Sequence, residues 1–290
     1  MVNGPTIQEF FKNFTDDATC LEYLMRLRYG ETLDCPKCGK HGKFHAIKKH
    51  PAYECAWCGH PIYPMKGTIF ARSHVPLQKW FYALYLFTTT RHGVPAKELQ
   101  RQLGVSYPTA WRMAKEIRKF MGKLDGEPPL TGTVEVDQSY VGGRVKGGKK
   151  HGITGRSHKG KSIVFGMLER DGELYTKVVP TAGRKSLIPE ITRQIPKGTR
   201  IVSDEWMPYR ILSSLGYVHE TVDHGAKEYA RGDVHVNGLE GFWSMLKRSI
   251  RGTHIHVSPK YLSVYLGEFE YRYNRRKRAG TMFAELLASL

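Results

Sequence analysis

The sequence has no long apolar run and no apolar leader. None of its 290 residues falls in a stretch of 18 apolar residues, so we expect no membrane-spanning helix. The opening residues, MVNGPTIQEFFKNF, do not place a cationic end before an apolar stretch, and no secretory signal is expected. No internal repeat is present. Together these absences favour a cytoplasmic protein built from non-repeating domains.

Acidic residues are scarce. Aspartate and glutamate total 27 against 45 lysines and arginines, which gives a formal net charge of +18. The pI near 9.7 indicates a polyanionic partner, with nucleic acid as the expected one and a membrane surface as the alternative. Residues 142–161 contain no acid at all and predict either a phosphate-contacting basic loop or a solvated one. The candidate contacts there are Lys149, Lys150, Arg156, Lys159 and Lys161.

Cysteine is also rare, and four of the five cysteines form two matched pairs. The pairs are Cys35-Pro-Lys-Cys38 and Cys55-Ala-Trp-Cys58, sixteen residues apart, and a glycine follows each pair. This spacing is typical of a structural zinc ribbon with four thiolate ligands, and four unrelated cysteines or two disulfides are the alternatives. Cys20 is left without a partner and is expected in the core, which agrees with a reducing compartment.

The first half of the chain predicts helices on both sides of the ribbon. Residues 7–29 have apolar spacing close to a helical period, and residues 75–122 read as entirely helical. Within the latter, a helix ending at Leu103, a glycine turn and a second helix have the helix-turn-helix layout, with an ordinary helical hairpin as the alternative. The residues expected to face DNA from the second helix are Ser106, Tyr107, Thr109 and Arg112.

Strands dominate after the linker at residues 125–130. Alternating runs at 132–137, 162–168 and 174–179 predict antiparallel strands, and alternating helices and strands follow them. This order predicts a mixed α/β sheet closed by two longer helices near 237–250 and 259–273. The predicted domains are residues 1–32, the ribbon at 33–70, the helical segment at 75–124 and the sheet domain at 131–290.

Three carboxylates stand out in this basic chain. Asp137 and Asp204 each end a β-branched run, and Glu240 lies in the first turns of a helix with Lys247 seven positions later. Carboxylates converging from two strand ends and a helix would suit two Mg²⁺ ions for phosphoryl transfer, with Lys247 meeting a DNA phosphate. Each residue alone would also suit a turn or a helix cap, and Glu135 and Glu205 are nearby competitors.

These motifs resemble the zinc-ribbon transposases of bacterial insertion sequences, which belong to the DDE superfamily and have a ribonuclease-H-like core. The resemblance runs from about residue 20 to residue 276. It is carried by the ribbon, the helical segment and three sequence motifs, VEVDQSYVGG at 134–143, SDEW at 203–206 and HVNGLEGFWSMLKR at 235–248. One departure is Gln138, because many relatives have glutamate after the first aspartate.

The resemblance implies a catalytic set and a reaction. Asp137 and Asp204 would be the first two catalytic acids, and Glu240 the third, with Lys247 as its companion and Asn237 as the alternative third residue. Two Mg²⁺ or Mn²⁺ ions would serve the cutting of terminal inverted repeats and the joining of the 3′-hydroxyl to target DNA. A homo-oligomer acting on double-stranded DNA in the bacterial nucleoid is expected, with Arg248 beside Lys247 as a further contact. A DNA-binding regulator or decayed transposase without catalysis, or a nuclease that never joins ends, is the alternative.

Overall fold

The computed structural model describes residues 4–142, 160–222 and 231–290. The chain divides into two compact units, one made of Met1–Phe120 with Lys277–Leu290 and the other of Met121–Arg276. The last residues therefore belong with the N-terminal unit, whereas the sequence places them in the sheet domain. Across the three described ranges, no helix is both long and apolar enough to cross a membrane.

The first unit combines short helices with a small antiparallel sheet. Its elements in chain order are α1 (Ile7–Asn13), α2 (Asp17–Tyr29), β1 (Phe44–Ala46), β2 (Tyr53–Cys55), β3 (Pro61–Ile62), α3 (Leu77–Thr89), α4 (Ala96–Leu103) and most of α5 (Tyr107–Asp125), whose residues from Met121 onward belong to the second unit. The sequence predicts one helical segment over residues 7–29, but the helix breaks after Asn13. The break has a local cause, because the Asp16 side chain accepts a bond from the Thr19 N–H at 2.8 Å and starts α2 as its N-cap.

Helices α4 and α5 have the predicted helix, turn and helix layout. Gly104 ends α4 in the left-handed conformation, at φ 60°, which a residue without a Cβ adopts at little cost. The Ser106 hydroxyl lies 2.9 Å from that of Thr109 at the start of α5. Leu99, Leu103 and Met113 are buried, so apolar contacts within the unit hold the pair of helices in place.

The second unit contains a five-stranded mixed sheet, as predicted. Its strands are β4 (Thr133–Val141), β5 (Ser162–Glu169), β6 (Leu174–Val179), β7 (Arg200–Asp204) and β8 (Val218–Val222), in the order β6-β5-β4-β7-β8. Strands β4, β5 and β6 are antiparallel, while β7 and β8 run parallel to β4. The central strand β4 therefore has an antiparallel neighbour on one side and a parallel neighbour on the other.

Helices pack on the sheet in two of the apolar clusters that the described residues of this unit form. One core includes Val134, Val136 and Ile191 and involves helix α6 (Arg184–Gln194). The other involves the long helices α7 (Asn237–Ser249) and α8 (Leu262–Asn274), with Trp243 and Phe269 buried. Between β7 and β8 the predicted alternation of helix and strand is met by two 3-10 turns, Met207–Ile211 and Ser213–Leu215, rather than by an α-helix.

The chain ends with a helix in the first unit. Helix α9 (Met282–Ala288) packs against α3. Its Phe283 ring lies 5.9 Å from the rings of Phe10 and Tyr85 and 6.0 Å from that of Phe14. Aromatic contacts of this kind explain why the last residues join the N-terminal unit.

Candidate active site and metal centre

The two cysteine pairs form one compact cluster in the first unit. The sulfurs of Cys35 and Cys58 lie 3.6 Å apart, and those of Cys38 and Cys55 lie 3.9 Å apart. Four sulfurs at about 2.3 Å from a tetrahedral zinc ion are about 3.8 Å from one another, so the observed spacing fits that ion. The four thiols therefore support a structural zinc site, and the disulfide alternative is wrong because the described cysteines are all unpaired thiols.

The two cysteine pairs have the same backbone geometry. Gly39 and Gly59 each have φ 67°, and their N–H groups bond the carbonyls of Cys35 and Cys55 at 2.8 and 2.9 Å. Burial acts to raise the pKa of the Cys35 thiol, but the backbone N–H groups of Cys38 and Lys37 and the thiols of Cys58 and Cys38 outweigh it, and the pKa falls to about 6, while that of Cys58 rises to about 12. Amide groups directed at a sulfur stabilise the thiolate, which is the form that binds zinc.

We expect one zinc ion per chain, and its removal should unfold the ribbon. Structural zinc contributes about 10–16 kcal/mol in small zinc domains, far more than a three-stranded sheet of this size supplies by itself. Cys38→Ala should lose the metal, measured by elemental analysis. Cys20→Ala is the matched control, because Cys20 is buried in α2 and burial, with Asp17 and Asp16, raises its pKa to about 12. Equal zinc content in the two variants would contradict the assignment.

The two aspartates lie side by side in the second unit. Strands β4 and β7 are parallel neighbours, and Val136 pairs with Ser203, so Asp137 and Asp204 follow at the same level of adjacent strands. Asp204 ends β7, where α/β proteins commonly bind ligands, whereas β4 continues to Val141, so Asp137 lies within its strand beside that end. The Asp204 carboxylate accepts a bond from the Trp206 N–H at 3.1 Å.

Asp137 is the electrostatic centre of this edge. Burial first, and then the charges of Asp204 and Glu240, raise its pKa from 3.8 to about 7. The N–H groups of Gln138 and Trp243 act in the opposite direction, since they donate to the carboxylate at 2.7 and 2.9 Å. A carboxyl that burial, together with the charges of two nearby carboxylates, keeps partly protonated is the kind of group that a divalent cation stabilises as its anion.

Trp243 reaches Asp137 across a glycine. Gly166 pairs directly with Asp137 on the neighbouring strand, and a Cβ there would lie 2.6 Å from an atom of the Trp243 ring. Only glycine leaves room for the indole over the sheet. Three elements, β4, β5 and α7, are therefore fitted together around the Asp137 side chain.

Glu135 lies on the same face of β4 as Asp137, but its carboxylate is bonded within the protein. Its buried carboxylate accepts from the Leu239 N–H at 3.0 Å, in the first turn of α7, and pairs with the Arg170 guanidinium at 3.2 Å. Its charge is thus used within the protein as a helix cap and an ion pair. This arrangement removes Glu135 as a competitor for the metal site, which the sequence leaves open.

The helix residues with predicted roles lie along one side of α7. Asn237, Glu240 and Arg248 are exposed, and Lys247 is half-buried. Burial lowers the pKa of Lys247, the charge of Asp137 opposes that shift, and Arg251 and Lys161 add to it. Lys247 therefore lies within electrostatic reach of Asp137 and of two further cations. The three carboxylates interact electrostatically, but their oxygen atoms do not all lie within 4.8 Å of one another. In the described part of the chain only the four cysteines bring three or more ligand atoms that close together.

Comparisons with known proteins place this architecture in a family. Residues 129–274 match the ISXO2-like transposase domain, and residues 15–61 match the transposase zinc-ribbon domain. The chain belongs to the ISXO2-like transposase family. A protein in transposable element ISH50 of Halobacterium salinarum, titled uncharacterized, is 28% identical over 90% of this chain and 92% of its own. An uncharacterized transposase-like protein of Haemophilus influenzae is 26% identical over 35% of this chain and 81% of its own. No solved structure matches significantly.

Membership in this transposase family implies DNA binding, and the predicted contacts fall into three groups: the start of α5, Lys247 and Arg248 with Lys161 in electrostatic reach, and the rest of the basic segment. Ser106 and Tyr107 are exposed at the start of α5, and Thr109 is half-buried beside them. Arg112 is engaged within the first unit, since it contacts the Ser73 hydroxyl at 3.2 Å and its guanidinium lies 5.7 Å from the Trp80 ring centroid. The third group, Lys149, Lys150, Arg156 and Lys159, lies outside the described residues.

Sequence reasoning missed the residues that support the acids. Trp243, in the motif at 235–248, is buried, and its ring N–H also bonds Asp137. The signal that could have found this contact is Gly166, a lone glycine inside an apolar strand, which often marks a close approach. The Gln138 side chain accepts a bond at 2.6 Å from the hydroxyl of the buried Tyr209, so this departure from many relatives is used structurally.

Proposed function

We propose that this transposase cuts the ends of its DNA element and joins the freed 3′-hydroxyl to target DNA with a ribonuclease-H-like core. The observation that carries the proposal is the electrostatic coupling of Asp137 to Asp204 and Glu240 at one end of the sheet. The sheet supports the assignment, because β4 and β7 are parallel neighbours that bring Asp137, within β4, to the level of Asp204 at the end of β7.

The three carboxylates are the proposed ligands of two Mg²⁺ or Mn²⁺ ions. Their hard oxygen atoms and the raised pKa of Asp137 suit divalent cations, which would activate the attacking oxygen and stabilise the leaving one. Asp137 would bind metal together with Asp204 and Glu240. The Gln138 backbone N–H and the Trp243 ring N–H would fix the orientation of its carboxylate. Asn237 is the alternative to Glu240, since both are exposed in the first turns of α7.

Lys247 and Arg248 would meet the DNA backbone next to the reacting phosphate. Lys247 is a cation within electrostatic reach of Asp137, so a phosphate held there would lie between the acids and a positive charge. Helix α5 and the ribbon would bind the terminal inverted repeats, and two chains would pair on DNA to bring both ends together. The net charge of +18 supports association with this polyanion in the nucleoid.

The test is cleavage of supercoiled plasmid carrying the element's ends, in Mg²⁺ and in Mn²⁺. We expect Asp204→Asn to reduce nicking and joining by roughly a hundredfold or more, because metal ions contribute several kcal/mol to transition-state stabilisation. End binding, measured by fluorescence anisotropy, should persist in the variant. Binding without any cleavage by the natural protein would instead favour the regulator or decayed-element alternative.

A further inference from the structure

An unusual backbone segment follows the end of α7. Residues Ile250–His254 form a π-helical turn, and Ile255 comes next with φ 64° and ψ −50°. The His256 N–H bonds the His254 carbonyl at 2.6 Å across Ile255. These values describe a γ-turn with positive φ at its central residue, which is the rare and strained form of this turn.

Isoleucine is a poor choice for such a position. Positive φ is uncommon outside glycine, and for a β-branched residue it is a genuine outlier. Among the described residues the other non-glycine cases are Arg72 and Asp171, neither of which is β-branched. Strained backbone persists only where the surrounding structure holds it, and such positions concentrate at functional sites.

The surrounding structure does hold this turn. Ile250 and Val257, on either side of it, are both buried in the core formed with α7 and α8. The His254 ring packs edge-on against Tyr265, with ring centroids 4.9 Å apart. Between these anchors Ile255 is 82% exposed, the highest value among the large exposed hydrophobic side chains of the described residues. The fold thus presents an apolar side chain to solvent on a rigid, strained support.

The environment of Ile255 is strongly basic. Arg248, Arg251, His256 and Lys260 are exposed around it in sequence. No acidic residue occurs between Glu240 and Glu268. An exposed apolar side chain among cations matches duplex DNA, whose phosphates bind the cations and whose base stack accepts an apolar wedge.

We propose that Ile255 is a wedge that inserts between adjacent base pairs of the bound element end and unstacks them. The inference rests on the proposed function in that the partner is DNA. Helix α7 runs from Asn237 to Ser249 and the π-turn follows it, so Ile255 lies roughly 20 Å from Glu240 at about 1.5 Å per residue. The distorted step should therefore lie about six base pairs from the cut, at 3.4 Å per base pair.

The test uses 2-aminopurine, whose fluorescence rises when it is unstacked, at single positions in duplexes of the element's end. The protein carries Asp204→Asn so that binding is observed without cleavage. We expect fluorescence to rise at one step near the sixth base pair. Ile255→Gly should abolish the rise, Ile255→Leu should retain it, and Val218→Ala is the matched control, since Val218 is 56% exposed elsewhere in the same unit.

Cleavage and stability separate this role from a structural one. When Asp204 is intact, the Ile255→Gly variant should cut DNA roughly 10- to 100-fold more slowly, because the inserted side chain no longer stabilises the unstacked base step. Its melting temperature should not fall, since glycine adopts positive φ without strain. Reduced cleavage with a lower melting temperature would mean that Ile255 only supports the fold and would overturn the wedge.

The outcomes also distinguish the wedge from the proposed function. Duplex binding without any fluorescence rise, or a rise unchanged in Ile255→Gly, would overturn the wedge and leave the transposase proposal standing. Failure of the Asp204→Asn protein to bind any duplex would overturn both.

Discussion

Asp137→Asn should make the metal-free protein more stable at neutral pH while abolishing DNA cleavage. The folded state raises the pKa of this aspartate from 3.8 to about 7, chiefly through burial and the nearby Asp204 charge. Between those pH values the folded protein holds a proton that the unfolded chain has lost. Stability therefore falls as pH rises through this window, and at pH 7.5 the whole cost of the buried charge is present.

The balance of energies favours a net gain. The pKa shift corresponds to a cost on the order of 2–4 kcal/mol, which a neutral asparagine does not bear. Asparagine has one carbonyl oxygen, whereas Asp137 accepts bonds from Gln138 and Trp243, so one bond of about 1 kcal/mol is lost. We expect the melting temperature at pH 7.5 to rise by roughly 2–12 °C.

The pH dependence provides the decisive control. Near pH 4 the natural Asp137 is protonated in the folded state, so the variant should have no advantage and should be slightly less stable. Mg²⁺ should stabilise the natural protein at pH 7.5 but not the variant. Trp243→Phe should lower the melting temperature at pH 7.5, because it removes a hydrogen-bond donor to the Asp137 carboxylate. A variant that is less stable than the natural protein at both pH values would contradict the electrostatic account.

The placement of the acids at one edge follows from features that sequence displays. Asp137 and Asp204 each follow a β-branched run, and the pairing of Val136 with Ser203 on parallel neighbours brings the two acids to one level, although β4 continues to Val141. The zinc ribbon can be predicted in the same way, because the spacing of the cysteine pairs and the glycine after each pair are local features of the sequence. In both cases a short pattern specifies the geometry without reference to distant residues.

Long-range packing decided what the sequence left open. Strand alternation puts Glu135 and Asp137 on one face, but only the register of α7 determines which of them meets the helix N-terminus. The final helix shows the same limit, because its apolar residues fit either unit by pattern, and contacts such as Phe283 with Phe10 settle the matter. The strain at Ile255 is invisible in sequence, since nothing local requires positive φ there.

Glu135→Ala should be among the most damaging single substitutions in the second unit. The side chain is 2% exposed, and its loss would leave the Leu239 N–H without its acceptor and Arg170 without its carboxylate partner. Breaking a buried pair in this way costs about 3–5 kcal/mol, a large part of a typical total of about 5–15 kcal/mol. We expect the melting temperature to fall by roughly 6–20 °C.

Glu220→Ala is the matched control, since Glu220 also pairs with an arginine, Arg200, but at the partly exposed edge of the same sheet. That pair should contribute about 0–1 kcal/mol. Equal losses in the two variants would refute the special role of Glu135. Glu135→Gln should be intermediate, because an amide oxygen still accepts from the Leu239 N–H while the charge is gone.

Glu135→Ala should also reduce catalysis beyond its effect on folding. Residues two apart on a strand are about 6.7 Å apart, and residues four apart on a helix are about 6 Å apart. The bonds from Leu239 to Glu135 and from Trp243 to Asp137 therefore hold α7 along β4 at two matched points. Without the first bond the helix start, which carries Glu240, would shift against Asp137. Cleavage by the folded fraction of Glu135→Ala, measured well below its melting temperature, should fall at least tenfold for a misplacement of about 1 Å.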